Sequence, residues 1–171
     1  MAKDLQTAPP AAYVGPDDYR AFVLRVWRHG GAPASAEARL HALAMLVSES
    51  QEFLLDPTRA EAGDVCWATE ALAAAYGLPP LQVRAGVSLS RAALNWYVAK
   101  AAKACQKIAQ GAEPAAWLPT LAEALECARD VALGQSGQTV LRANVSKLET
   151  RYNGPEYNAA ADAGRINKTE A

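Results

Sequence analysis

The chain of 171 residues is long enough for one domain of ordinary size, and its 17 basic and 18 acidic residues leave a net charge of −1. This balance excludes a general electrostatic attraction to nucleic-acid polymers, so an anionic ligand has to be bound locally. No apolar run approaches the roughly 20 residues of a membrane span, and the N-terminus resembles no secretion signal. We expect a soluble, cytoplasmic protein, located in the host cytoplasm if the chain is viral.

Alanine-rich composition and a helical period of apolar residues predict an all-α protein. Short connections between the predicted helices are typical of an antiparallel helical bundle. The ends of the chain lack periodicity, so we expect a flexible N-terminal arm (1–15), one helical domain (16–152) and a C-terminal tail (153–171). The six helices of the domain are predicted at 16–30, 35–55, 58–76, 89–110, 114–133 and 138–152.

The second and third helices show a likeness to the fourth and fifth. Residues 47–52 align with 98–103, and 58–62 align with 120–124, so that Lys100 and Lys103 replace Glu49 and Glu52. The domain is therefore either built on a duplicated helical hairpin, or the likeness is a chance result of two Ala-rich segments. If the hairpins are duplicates and pack side by side, the two lysines lie near the acids as ion-pair partners or phosphate ligands.

Two acid pairs flank the turn between the second and third helices. Glu49 and Glu52 are three residues apart, as are Glu61 and Asp64, and each pair continues an apolar helical stripe. Four converging carboxylates would repel one another by about 3 kcal/mol for each pair at ~5 Å, at an effective dielectric near 20. Because carboxylate oxygens suit Mg²⁺ or Mn²⁺, the pattern predicts a divalent metal site that also binds phosphates.

Each acid pair also has a purely structural interpretation. Thr58-x-x-Glu61 is a capping-box pattern, in which Glu61 bonds back to the Thr58 amide. Glu49 and Glu52 are equally consistent with a solvated helix face.

Three segments resemble the MazG-like all-α nucleoside triphosphate pyrophosphohydrolases, whose signature is E-x-x-E followed by E-x-x-D. They are 46–53, 61–67 with its Gly-Asp-Val step, and the closing helix 143–152. Ser50 and Gln51 replace the small residues common inside the first motif. The resemblance reaches from the first helix to Tyr152.

The resemblance implies hydrolysis of a nucleoside triphosphate between its α and β phosphates, releasing a monophosphate and pyrophosphate. Glu49, Glu52, Glu61 and Asp64 would be metal ligands, with Glu49, or else Glu52, as the general base. Likeness to phage members of the MazZ type implies dGTP as substrate, while dUTP, as in the helical dUTPases, or a damaged nucleotide stays open. The family usually assembles from several subunits, which implies a homodimer or homotetramer.

Other residues are candidates for substrate contacts. The last helix carries three polar side chains on one face that suit phosphate oxygens, although an amphipathic helix with a polar rim has the same pattern. Three tryptophans offer faces on which a nucleobase stacks. The first of them, at the end of the first helix, is our preferred base contact, and the second also suits a core position. These residues are Asn144, Lys147 and Arg151 for phosphate, and Trp27, Trp67 and Trp96 for the base.

A competing class of function is a non-catalytic helical interaction module, whose acids bind a basic partner or cap helices. His29 and His41 have no further metal ligand at a suitable spacing, so we expect surface or capping roles for them. Cys66, Cys105 and Cys127 contain no C-x-x-C pair, which argues against a zinc knuckle or a disulfide framework.

Overall fold

The protein is described by a computed structural model. It covers residues 15–30, 34–82, 89–134, 137–152 and Tyr157, so most of the predicted arm and tail lies outside the described residues. The described part is all-helical and contains no strand, which confirms the predicted fold class. Its α-helices are α1 (Pro16–Val26), α2 (Ala36–Leu55), α3 (Arg59–Ala75), α4 (Leu94–Ala109), α5 (Pro114–Leu133) and α6 (Gly137–Tyr152), with one 3₁₀ turn at Arg91–Ala93 before α4.

Side-chain caps fix the helical hairpin α2–α3. Ser35 Oγ accepts a hydrogen bond of 3.1 Å from the Ala38 amide, so α2 begins where the sequence predicts. Pro57 follows the end of α2, and Thr58 Oγ1 accepts from the Glu61 amide at 3.3 Å to start α3. Only residues 56–58 join the two helices. The end of α2 therefore lies beside the start of α3, where the acid pairs are.

The first helix ends earlier than predicted. Periodicity extends it to Gly30, but the helix stops at Val26, and Trp27 has extended backbone angles (φ −88°, ψ 127°). This change of direction lets the indole pack into the main core, where Trp27 is 3% exposed. Tertiary packing of one large side chain thus overrides the helical pattern of residues 27–30.

Helix α3 lies at the centre of the bundle. It packs against α1, α2, α5 and α6, and most of its side chains from Ala62 onward are buried. Small residues such as Ala68 and Ala71 let the neighbouring helices approach it closely. The hairpin α4–α5 packs on this centre through α5, whereas the proposed duplication stays a prediction. None of the helices in the described ranges combines the length and hydropathy that crossing a bilayer requires.

A buried ion-pair network joins α1, α3 and α5. Arg129 is fully buried and donates from Nη1 to Glu70 Oε2 and to the Leu81 carbonyl, both at 2.7 Å. Arg20 binds the other oxygen of Glu70, and the Arg129 guanidinium lies 5.3 Å from the Tyr19 ring centroid. Burial raises the pKa of the Glu70 carboxyl, while the charges of Arg129 and Arg20 oppose the rise. The charges of both arginines therefore stabilise the buried Glu70 carboxylate.

Candidate active site

Three of the four predicted carboxylates meet between α2 and α3. Glu49, Glu61 and Asp64 each offer an oxygen, and these oxygens all lie within 4.8 Å of one another. Glu52 is exposed and lies outside this group. Glu52 lies one turn nearer than Glu49 to the exposed end of α2, and its charge still contributes to the raised pKa of Glu61. We call Glu49, Glu61 and Asp64 the acid triad.

The hydrogen bonds around Glu61 distinguish between its two interpretations, which are a capping-box residue and a metal ligand. Thr58 does cap α3, but the Thr58 amide donates to the Asp56 carbonyl at 2.7 Å. The Glu61 carboxylate therefore does not close the capping box. Its Oε2 atom is buried and has no hydrogen-bond partner among the described residues. An oxygen in this state is suited to a cation.

Asp64 is held by the last helix. Its Oδ1 accepts from Asn144 Nδ2 at 3.1 Å, and its Oδ2 is ion-paired with Lys147. Asn144 is itself fixed, because its Oδ1 accepts from the buried Tyr19 hydroxyl at 2.9 Å. Two of the predicted phosphate ligands thus face the acid triad here, and their contact with phosphate stays a prediction.

Gly63 allows this contact between α3 and α6. A Cβ atom at Gly63 would lie 2.8 Å from Asn144 Cβ, which is closer than such atoms approach, and 3.0 Å from its Nδ2, which is a tight contact. We expect Gly63→Ala to lower the free energy of unfolding by about 1–3 kcal/mol, as overpacking usually does. Urea unfolding checks this value. An unfolding free energy equal to that of the wild type would contradict the close packing described here.

The acid triad makes stability depend on pH. Burial raises the pKa of Glu61, as does the charge of Asp64, while Lys147 partly offsets the rise. The metal-free native state therefore keeps the Glu61 proton to higher pH than the unfolded chain does. Stability should fall as pH rises from the ordinary glutamate pKa of about 4.3 through the raised value.

Glu61→Gln isolates this effect from that of Glu70, whose pKa is also raised. Urea unfolding across that pH range should show a smaller loss of stability for the variant than for the wild type. Identical pH dependence in both proteins would mean that Glu61 does not titrate abnormally.

A cavity of about 210 Å³ opens beside the acid triad. Glu49 and Asp64 form part of its wall, together with three residues predicted from the sequence, Trp27, Trp67 and Arg151. Comparison of the chain with known protein families, curated proteins and solved structures found no match. The cavity and its residues thus have to be interpreted from their own chemistry.

Three predicted site residues lie on α4, apart from both the acid triad and the cavity. Lys100 Nζ is ion-paired with Glu123 Oε2 of α5 at 2.7 Å, and it lies 5.2 Å from the Trp96 ring centroid. Lys103 and Trp96 are exposed on α4. Lys100 is therefore an ion-pair partner, as one alternative proposed, but its partner is not a member of the acid triad.

Some residues of the site were not predicted. In the sequence, Tyr19 is one of the apolar positions of α1. Its spacing does not predict that its hydroxyl orients Asn144. His29 Nε2 and His41 Nδ1 lie 2.9 Å apart, and the half-buried His41 borders the cavity, a position that the sequence did not indicate. Each contact joins two separate elements, and helical periodicity within one segment does not predict contacts between segments.

The donor set of the acid triad fits a hard divalent cation. Mg²⁺ and Mn²⁺ prefer oxygen ligands, and Mg²⁺ commonly combines one or two carboxylates with phosphate oxygens of a substrate. The unpartnered Glu61 oxygen is the observation that supports this fit. Glu49, Glu61 and Asp64 would hold the ion.

Proposed function

We propose that the protein is a metal-dependent nucleoside triphosphate pyrophosphohydrolase. It cleaves the substrate between the α and β phosphates to give a nucleoside monophosphate and pyrophosphate. The observation that carries the proposal is the convergence of Glu49, Glu61 and Asp64 beside a cavity walled by Arg151 and two indoles. The carboxylates suit a divalent ion, the guanidinium of Arg151 suits the phosphates, and the aromatic surfaces suit the base of a nucleotide.

Glu49 is the proposed general base. It is half-buried and borders the cavity, whereas Glu52 is exposed to solvent. Glu49 would take a proton from the water whose oxygen bonds to the α phosphorus, as the bond from that phosphorus to the bridging oxygen breaks and pyrophosphate leaves. Bound Mg²⁺ or Mn²⁺ would supply charge neutralisation and polarise the phosphoryl oxygens.

Helix α6 supplies the proposed phosphate contacts. Arg151 borders the cavity and has the planar fork that binds two oxygens of one phosphate. Lys147 neutralises Asp64 in the structure, and its long flexible side chain suits an exchange of that carboxylate for a phosphate oxygen. Asn144 holds Asp64 in place and is the third proposed phosphate contact.

The second hairpin offers an internal comparison that supports a bound cation. In the proposed duplication Lys100 corresponds to Glu49, and Glu123 corresponds to Glu61. Lys100 and Glu123 form an ion pair in α4–α5. The corresponding contact in α2–α3 joins two carboxylates. Lys100 supplies the positive charge in the α4–α5 contact, and a metal ion would supply it in the α2–α3 contact.

Residues on the outer side of the bundle support the expected homodimer or homotetramer. Leu40, Val47 and Leu55 of α2 are spaced by seven and eight residues, so they share one helix face. They are 69%, 42% and 86% exposed. Burying such a stripe against another subunit would remove apolar surface from water.

A panel of triphosphates tests the proposed activity. The protein is incubated with dGTP, dATP, dUTP and dCTP, with and without Mg²⁺ or Mn²⁺, and pyrophosphate is measured. We expect release that requires the metal, with dGTP as the preferred substrate and dUTP as the alternative. Absence of turnover with every triphosphate and metal would favour a non-catalytic interaction module.

A further inference from the structure

A hydrogen-bond chain connects the core of the bundle to the acid triad. The Tyr19 hydroxyl of α1 donates to Asn144 Oδ1 of α6 at 2.9 Å, and Asn144 Nδ2 donates to Asp64 Oδ1 at 3.1 Å. Tyr19 is fully buried and Asn144 is 1% exposed, so neither can exchange its partner for bulk water. Two residues from different helices thereby hold one carboxylate of the proposed metal site.

The hydrogen-bond chain admits one orientation of the Asn144 amide. Asp64 is ion-paired with Lys147, and an ionised carboxylate accepts hydrogen bonds but donates none. The amide therefore turns its NH₂ group toward Asp64, which leaves its carbonyl oxygen facing Tyr19. Burial raises the pKa of the Tyr19 hydroxyl, so this group keeps its proton and remains a donor. Each group in the hydrogen-bond chain thus has the partner that its chemistry requires.

Both ends of the Tyr19–Asn144 contact are held by neighbouring side chains. The Arg129 guanidinium lies 5.3 Å from the Tyr19 ring centroid, within the range of a cation–π contact, and Arg129 is fixed by its bond to Glu70. Gly63 of α3 packs against the Asn144 side chain. The hydroxyl and the amide therefore have little freedom to move apart.

We infer that Tyr19 is a positioning residue of the proposed metal site, whose hydroxyl keeps Asn144 a donor to Asp64 instead of an oxygen ligand of the ion. This inference rests on the proposed function. An asparagine amide offers either a carbonyl oxygen or an NH₂ group, and Mg²⁺ and Mn²⁺ bind the oxygen. Without the Tyr19 hydroxyl, the buried Asn144 oxygen lacks its donor. Rotation of the amide would then turn that oxygen toward Asp64, and the carboxylate would lose the contact that orients it.

A double-mutant cycle between Tyr19 and Asn144 tests the inference. Mn²⁺ binding to the wild type, Tyr19→Phe, Asn144→Ala and the double variant is measured without nucleotide, from the electron paramagnetic resonance signal of free Mn²⁺. Tyr19→Phe keeps the buried ring and removes a single oxygen atom, and circular dichroism checks that the helices are intact. Asn144→Ala leaves Tyr19 in place, so wild-type affinity in that variant would overturn the inference by itself.

Loss of a group that holds a metal ligand typically weakens metal binding 10–100-fold. We expect Asn144→Ala to raise the Kd for Mn²⁺ within that range, and Tyr19→Phe to raise it roughly tenfold. In the Asn144→Ala background, Tyr19→Phe should change the Kd by less than about twofold, because the residue through which it acts is gone. Two effects that multiply independently would show that Tyr19 does not act through Asn144, which refutes the inference.

Tyr76→Phe is the matched control. The Tyr76 hydroxyl forms a hydrogen bond with Cys105, and Tyr76 lies about 18 Å along α3 from Asp64. This variant also loses a hydrogen-bonded hydroxyl inside the fold, but its Kd for Mn²⁺ should equal that of the wild type. A loss of affinity as large as that of Tyr19→Phe would assign both effects to lowered stability and count against the inference.

The result for Tyr19 is separable from the proposed activity. A wild-type Kd in Tyr19→Phe would overturn the inference and leave the proposed function intact. Should the wild type bind Mn²⁺ but turn over no triphosphate, the proposed function fails, and the cycle still decides the role of Tyr19. Failure of the wild type to bind Mn²⁺ would remove the metal site and the inference together.

Discussion

Glu49→Gln and Asp64→Asn should each lower the rate of pyrophosphate release by at least about a hundredfold. Residues that only support metal ligands are typically worth 10–100-fold, and these two side chains belong to the acid triad itself. Both replacements keep the shape of the side chain and remove its charge. The rate should therefore fall while the helical content measured by circular dichroism stays at the wild-type level.

The second hairpin provides a matched control for these variants. Glu123 is the proposed counterpart of Glu61, and it is an exposed carboxylate paired with Lys100. Glu123→Gln removes one carboxylate charge from the second hairpin without touching the acid triad, so its rate should equal that of the wild type. Wild-type turnover in both Glu49→Gln and Asp64→Asn would remove the proposed active site.

Arg129→Met should produce the largest loss of stability, about 3–5 kcal/mol in the free energy of unfolding. The variant keeps an apolar stem but removes the guanidinium from Glu70 and from the Leu81 carbonyl. Glu70 is fully buried and would be left with Arg20 as its remaining charged partner. Since native domains are stable by only about 5–15 kcal/mol, much of the protein's stability would be lost.

An exposed ion pair serves as the comparison for Arg129. Arg28 and Glu37 lie 3.3 Å apart, with side chains that are 45% and 73% exposed. Arg28→Met should cost less than about 1 kcal/mol, because solvent already screens that pair. Denaturant unfolding of both variants measures the difference. Equal, small losses would show that the buried network contributes little to stability.

Helix positions could be predicted well where local chemistry sets them. Ser35, Thr58 and the Asp56-Pro57 step fix the ends of α2 and α3 within one residue of the prediction. Two ends were wrong, and packing explains the first of them. Trp27 leaves α1 to enter the core, and the predicted helix from Leu89 begins instead with a 3₁₀ turn at Arg91.

The candidate site could be predicted only in part for a similar reason. Spacing along one hairpin indicated that Glu49, Glu61 and Asp64 converge, since a short turn joins their helices. It did not indicate that Glu52 points to solvent, nor that Lys147 pairs with Asp64 from 83 residues away. A helical period reports which residues share a face, but it does not report which other helix covers that face.

The proposed metal site is best tested by locating the metal in crystals grown with Mn²⁺ and a dGTP analogue that has a methylene group between the α and β phosphorus atoms. Anomalous scattering then gives the position of the ion. We predict Mn²⁺ within coordination distance of carboxylate oxygens from Glu49, Glu61 and Asp64 and of the triphosphate. Mn²⁺ bound to the triphosphate alone, with those three carboxylates uncoordinated, would contradict it.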